Sequence, residues 1–195
     1  MLPLAAFLLA PVFLSLVQSK TIQSFAGPYI AFSHLYNPCP SQETFLIQAK
    51  ISHFNPSRPY DLQTVFANMS LKEDFSDGYW ASATMAVRSN NQWKENAIVF
   101  NFPRKGCSVI REHFPDMYRF FAEATGTPVA DKTAPCVFRK GNYVMTEPRP
   151  VNATFPSFPV LPYGRYKYRG TLRRTSTSPV PLACLEMDCE IIPKP

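Results

Sequence analysis

The sequence predicts a mainly β protein with one short inserted helix. Most of the chain alternates apolar and polar residues with a period of two, which is typical of half-buried strands. One block has a period of three to four residues and predicts a helix instead. The 195 residues include 20 prolines, about twice the average usage, yet 46% of the residues are apolar. This apolar content argues against disorder and suits prolines at strand ends and in loops.

The first 19 residues predict a secretory signal peptide. The run Leu2–Val17 is almost wholly apolar and carries no charge, and Gln18 and Ser19 follow it. A signal peptidase accepts small residues at such a position. The run is shorter than the about 20 residues that a membrane span needs. We therefore expect residues 20–195 to form a single secreted, extracellular domain without a transmembrane segment.

The charge and the cysteine content agree with export. Five cysteines in an exported chain indicate two disulfides and one further thiol. The net charge of +6 favours anionic partners such as acidic lipid headgroups or glycans, and export makes nucleic acid the least expected of them. The tripeptides that begin at Asn68 and Asn152 are glycosylation sequons, so we expect a glycoprotein.

Four strands are predicted in the first half of the chain. They cover residues 44–51, 62–71, 79–88 and 93–102, and turn signals separate them. The apolar face of the first strand consists of Phe45, Ile47, Ala49 and Ile51.

The period changes after Gly106 and predicts the helix. Pro115 would break a continuous helix. We therefore expect a short turn over residues 107–113 and then a helix with Pro115 at its first position. Gly126 is placed to end that helix. The apolar stripe consists of Ile110, Phe114, Met117, Phe121 and Ala124.

Strand character resumes in the last third of the chain. Residues 141–146, 165–171 and 182–192 predict three more strands. The segment 148–162 contains five prolines, which predicts an extended loop because proline is excluded from central strands.

Cations occupy one face of the strand at residues 165–171. Arg165, Lys167 and Arg169 alternate with Tyr166 and Tyr168, which would then face inward. The cations form either a basic rim that meets anionic headgroups or a solvated face that protects a strand edge.

The cysteine spacing predicts one disulfide and leaves the second open. Cys107 and Cys136 bracket the helix, and a bridge that closes a loop of about 30 residues contributes roughly 3–4 kcal/mol. Cys39 precedes the first predicted strand and would tie it to the last strand. Cys184 and Cys189 lie five residues apart on opposite faces of that strand, so only one of them suits Cys39.

The sequence contains no catalytic or metal-binding motif. The histidines, His34, His53 and His113, are far apart and lack ligand spacing. The chain has neither a nucleophile elbow nor a glycine-rich phosphate loop. We expect no enzyme activity, no metal and no cofactor.

The 16 phenylalanines fit two kinds of core. They either fill a sandwich core or border an apolar cavity between the inner faces. Bulky substitutions at Ala83 or Met85 would destabilise a filled core strongly, whereas in a hollow core they would chiefly displace ligand. The candidate cavity-lining residues are Phe66, Met85, Ile98, Phe100, Tyr143 and Phe158.

Several motifs in order resemble a group of small secreted insect proteins. That group belongs with the lipid-recognition (ML) family, which is related to myeloid differentiation factor 2 and the ganglioside activator. The similarity covers residues 37–193. The motifs are Gly106-Cys107, Phe120-Phe121-Ala122, Pro135-Cys136, Gly141-Asn142-Tyr143 and Leu161-Pro162-Tyr163-Gly164-Arg165-Tyr166.

The resemblance implies an immunoglobulin-like two-sheet β-sandwich or β-cup that takes a lipid between its sheets. It also favours Cys184 as the partner of Cys39, while Cys189 departs from the family pattern. The hypothesis is a secreted, non-enzymatic protein that binds a lipid, sterol or similar hydrophobic ligand in an apolar cavity. The alternative is an extracellular module with a filled core that contacts a protein receptor or a glycan.

Overall fold

The computed structural model describes residues 25–41, 43–129 and 133–194, so the predicted signal peptide lies outside the described residues. The helices are α1 (Gly106–His113) and α2 (Pro115–Thr125). The strands are β1 (Ala26–Gly27), β2 (Tyr29–Pro38), β3 (Phe45–Ile51), β4 (Gln63–Leu71), β5 (Phe75–Ser76), β6 (Trp80–Ser89), β7 (Gln92–Phe102), β8 (Val137–Phe138), β9 (Gly141–Val144), β10 (Arg149–Val151), β11 (Leu161–Pro162), β12 (Gly164–Arg173) and β13 (Ala183–Pro193).

Two antiparallel sheets form the body of the protein. The larger sheet has the strand order β2-β13-β12-β6-β7. The smaller sheet is built on β4, which pairs with β3 along one edge and with β9 and β10 along the other. Two short ribbons, β1-β11 and β5-β8, complete the described strands. The predicted mainly β sandwich is confirmed.

All seven strands predicted from alternation are present, with ends shifted by no more than two residues. The alternation did not predict β2, which is one of the two edge strands of the larger sheet, or the short strands β1, β5, β8, β10 and β11. A register shift opposite Asp188 and Cys189 interrupts the pairing of β2 with β13, and the adjacent residues Phe32 and Ser33 are both buried. This irregularity breaks the period of two that identifies a strand in sequence.

The structure contains two short helices where one was predicted. Residues 107–113, expected as a turn, belong to α1. The Asp77 carboxylate caps this helix, because it accepts bonds of 2.6 Å from both the backbone N–H and the hydroxyl of Ser108. As predicted, Pro115 begins α2 and Gly126 ends the helix in the left-handed conformation, with φ of 69°. Within the described residues, neither helix has the length and apolar composition to cross a membrane.

Both predicted disulfides are present. Cys107–Cys136 joins α1 to the segment that precedes β8, and Cys39–Cys184 joins the end of β2 to the start of β13. The Cys39 N–H also donates to the Cys184 carbonyl at 3.2 Å. Cys189 has a buried free thiol. The disulfides therefore fix the helical unit and one edge of the larger sheet.

The N-terminus of α1 lies against the β5–β6 turn so closely that only glycine fits at position 106. A Cβ there would be 2.7 Å from the Ser76 carbonyl oxygen and 3.1 Å from the Tyr79 Cβ. We expect Gly106→Ala to lower the free energy of unfolding by about 1–3 kcal/mol, although alanine is the better helix former. Chemical denaturation measures this change.

Gly78→Ala is the matched control for that substitution. A Cβ at Gly78 would meet only the Ser76 hydroxyl, at an ordinary 3.6 Å. We expect its unfolding free energy to stay within about 0.5 kcal/mol of the wild type. Equal stability of the two alanine variants would show that α1 does not need this close approach.

Candidate functional site

A cavity of about 220 Å³ lies between the two sheets. Its walls come from β3 and β4 on one side and from β2, β13, β12 and β6 on the other, and α1, α2 and residues 151–155 also border it. Well-packed interiors leave few voids larger than a water molecule, and a cavity of roughly 150 Å³ already holds benzene. The core is therefore hollow at this place.

Small residues in register explain why the space is not filled. In the smaller sheet Ala49 lies directly opposite Ala67. In the larger sheet Ala83 lies directly opposite Gly170. All four line the cavity, and directly opposed residues point to the same face of a sheet. Each sheet thus presents a pair of small residues. These residues are too short to reach the other sheet across the roughly 10 Å between packed sheets.

The cavity lining is mainly apolar and carries no acidic or basic side chain. Phe120 and Phe121 of α2 lie at the helical wall, and Met69 and Leu71 belong to the smaller sheet. The polar lining residues are Ser33, Tyr36, Gln63, Ser82, Asn152, Tyr168 and Thr171.

Gln63 joins the two sheets at one edge of the cavity. Its Oε1 accepts a bond of 2.7 Å from the Ser33 N–H, and its Nε2 donates to the carbonyls of Ser33 at 2.8 Å and Ser52 at 2.6 Å. The Tyr36 hydroxyl makes a second link, because it donates to the Ile47 carbonyl at 3.0 Å. Burial raises the pKa of Tyr36 to about 12, so this hydroxyl remains a donor at neutral pH.

Residues 151–155 separate the cavity from a groove on the outer surface. Val151, Asn152, Ala153 and Phe155 line both spaces. The Tyr29 hydroxyl accepts a bond of 2.9 Å from the Phe155 N–H and holds this segment against β2. This part of the predicted proline loop therefore forms the wall between the cavity and the outer groove.

A packed cluster covers the inner face of the larger sheet beside the cavity. Its buried members are Tyr29, Met85, Tyr166, Cys189 and Ile191. The protein therefore combines a solid region with a hollow one.

The structure places Phe66 outside the cavity. In β4 the alternate residues Val65 and Ala67 line the cavity, so the Phe66 side chain lies on the opposite face of the strand. Its partner across the smaller sheet is Lys50.

The other five residues expected in the lining also lie elsewhere. Met85 belongs to the packed cluster, and Ile98 packs against that cluster. Phe100 and Phe158 contact each other at a ring-centre distance of 5.3 Å. Tyr143 packs against the core from β9 and donates to the Arg139 carbonyl at 2.8 Å. The cavity is instead bordered by the small and aliphatic residues of the two inner faces.

The three cations expected at a rim lie on the outer face of β12. Tyr168, Gly170 and Leu172 of the same strand point into the sandwich, and the cations alternate with these inward residues. Arg165 donates two hydrogen bonds to the Asp188 carboxylate, at 2.8 and 2.6 Å, and Arg169 pairs with Glu186. The Lys167 ammonium lies 5.0 Å from the centre of the Trp93 ring. The cations are therefore paired across the outer face and turned away from the cavity.

The two sequons lie in different surroundings. Asn68 is in the middle of β4, and its Oδ1 is buried without a hydrogen bond in the described structure. Asn152 is exposed beside the cavity wall, and its Oδ1 accepts bonds from the N–H and hydroxyl of Thr154 at 2.9 and 2.7 Å. Glycosylation at both positions stays a prediction.

Two of the three histidines have polar partners at the surface. His34 Nε2 lies 2.9 Å from a Glu190 carboxylate oxygen, and His113 Nδ1 lies 3.0 Å from the Ser157 hydroxyl. No described carboxylate orients the His113 ring as the third member of a catalytic triad would. Among the residues described, no group of three or more potential ligands is placed to hold a metal ion.

Comparison of the chain with protein-family models and with curated proteins finds no match.

We expect the Gln63 link to be essential for stability. Gln63→Leu would leave the buried backbone N–H and carbonyl of Ser33 unpaired, and each unpaired buried group costs about 1–3 kcal/mol. A loss of roughly 2–5 kcal/mol in unfolding free energy is expected by chemical denaturation. The control is Gln48→Leu on the exposed face of β3, which should change stability by about 0.5 kcal/mol or less. Similar losses in both variants would contradict a specific link.

Cys189 should not react with thiol reagents in the folded protein. Burial raises the pKa of its thiol to about 12, and the reactive form is the thiolate. At pH 8 we expect negligible labelling by a maleimide until denaturant is added without reductant, and then one thiol per chain. Cys189→Ala supplies the blank. Rapid stoichiometric labelling of the native protein would show that the thiol is accessible.

Proposed function

We propose that the protein is secreted and binds a hydrophobic ligand without enzymatic chemistry, in the cavity between its two sheets. The observation that supports this proposal is an apolar cavity of about 220 Å³ without any acidic or basic side chain in its lining. The resemblance of the sequence motifs to the lipid-recognition family agrees with this use of the space. The ligand class is a lipid, a sterol or a similar molecule.

Burial of hydrocarbon alone can supply useful affinity. Each buried methylene contributes about 0.8 kcal/mol, so ten of them contribute about 8 kcal/mol before the cost of association. Association itself costs about 4 kcal/mol or more, so a micromolar dissociation constant, about −8 kcal/mol net, needs roughly five further buried methylenes or an equal apolar area. The ligand thus needs few polar contacts with the protein.

Export is supported by three features of the chain. The leader at residues 1–19 is apolar and uncharged, and two sequons follow it. The two disulfides suit an oxidising compartment.

The hollow core favours ligand binding over the alternative function, which is a module with a filled core that binds a receptor or glycan.

Filling the cavity should displace the ligand. Ala83 lines the cavity and faces Gly170, so we expect Ala83→Phe to weaken binding of an apolar fluorescent probe by tenfold or more. Thr84→Phe is the matched control, because Thr84 lies next to it on the outer face, opposite Arg169. Probe titration measures both variants, and mass spectrometry of an organic extract identifies the ligand that each retains.

Two results would contradict the proposed function. One is a clean extract from the wild type together with no probe binding at micromolar concentration. The other is an Ala83→Phe variant that loses about 1–3 kcal/mol of stability, as an overpacked core does, while its probe affinity equals that of Thr84→Phe. The second result would favour the filled-core module.

A further inference from the structure

Tyr168 places a hydroxyl at the cavity wall. Its side chain points inward from β12, lines the cavity and meets Phe114 edge-to-face at a ring-centre distance of 6.2 Å. The tyrosine hydroxyl is 3.5 Å from the position that a Cβ on Gly170 would take. Because Gly170 has no side chain, the Tyr168 ring lies along the strand and its oxygen lies over Gly170, which is itself a lining residue.

The hydroxyl of Tyr168 makes no hydrogen bond with any residue that the structure describes. The neighbouring inward tyrosines differ in this respect: Tyr166 donates to the Pro162 carbonyl at 3.0 Å, and Tyr36 donates to the Ile47 carbonyl at 3.0 Å. Burial raises the pKa of Tyr168, so the group remains a neutral O–H donor. Buried polar groups are normally hydrogen-bonded, and this one faces space that a ligand would occupy.

The charges around the cavity exclude an ionised partner for this hydroxyl. No cationic side chain lines the cavity. Arg165 and Arg169 are bonded to carboxylates on the outer face of the larger sheet. A carboxylate or phosphate buried at Tyr168 would lose its hydration without gaining a counter-charge, which costs far more than burying a neutral oxygen.

We propose that the cavity selects a neutral, mainly hydrocarbon ligand that carries one hydroxyl or carbonyl oxygen, and that the Tyr168 hydroxyl binds this oxygen inside the sandwich. This inference rests on the proposed function, because it names the chemical class of ligand for the same cavity. Hydrocarbon burial supplies most of the affinity, and the single hydrogen bond supplies discrimination.

The test compares three ligands of equal chain length, namely decane, 1-decanol and decanoate at pH 8. Each ligand displaces N-phenylnaphthylamine from the purified protein. We expect the wild type to bind decanol at least tenfold more tightly than decanoate. Tyr168→Phe should weaken decanol binding by about three- to tenfold, the size of one neutral hydrogen bond, and should leave decane binding unchanged.

Tyr166→Phe is the matched control, because it removes a hydroxyl from the same face of the same strand. That hydroxyl is already bonded within the protein, so the variant should keep wild-type affinity for all three ligands. Equal decanol affinity in the wild type and Tyr168→Phe, or decanoate binding as tight as decanol binding, would overturn the inference while decane binding still supports the proposed function. Failure of all three ligands and of the probe to bind the wild type would overturn both.

Discussion

The hollow region depends on how large and small side chains are distributed between two sheets of fixed separation. Packed sheets lie about 10 Å apart, and aromatic residues such as Phe45 of β3 fill that distance within the core. In the packed cluster, Tyr166 and Met85 of the larger sheet pack with Phe155 and Leu161 of the loop region. Between these packed residues the sheets present opposed pairs of alanine and glycine. Such side chains cannot close the gap, so the sandwich keeps an apolar space without losing its packed regions.

The polar links at the edges matter because hydrophobic burial is incomplete where the core is hollow. Gln63 and Tyr36 connect the backbones of the facing sheets at one edge of the cavity. On the helical side, the Cys107–Cys136 bridge and the Asp77 cap hold α1 in place. These hydrogen bonds and this disulfide hold the elements in place through bonded contacts instead of close packing of side chains. They thereby keep the sheets in register around a space that contributes little cohesion of its own.

Local patterns predicted the strands, the start and end of α2, and both disulfides, the second from the resemblance. They did not predict α1, because its cap comes from Asp77, a residue 31 positions before Ser108. The irregular pairing of β2 concealed that strand in the same way. The sequence also contains two signals that place candidate residues on outer faces. Thr64, Asn68 and Ser70 share one face of β4 with Phe66, which indicates the outer face. Glu186 and Asp188 alternate along β13 opposite the cations of β12, which indicates ion pairs. Pairing between distant segments therefore limited the prediction.

The expected lining residues show how a cavity should be sought in a sequence. Large apolar residues were natural candidates, yet on an inner face they fill space, as Met85 and Ile98 do beside the packed cluster. A cavity instead requires small residues at inward positions of both sheets, and Ala49, Ala67 and Ala83 satisfy that condition. The net positive charge has no corresponding role inside, because the β12 cations are paired on the outer face. In the proposed function, selection of a ligand therefore depends on the volume of the cavity and on its neutral polar groups, while the surface charge can serve solubility and association.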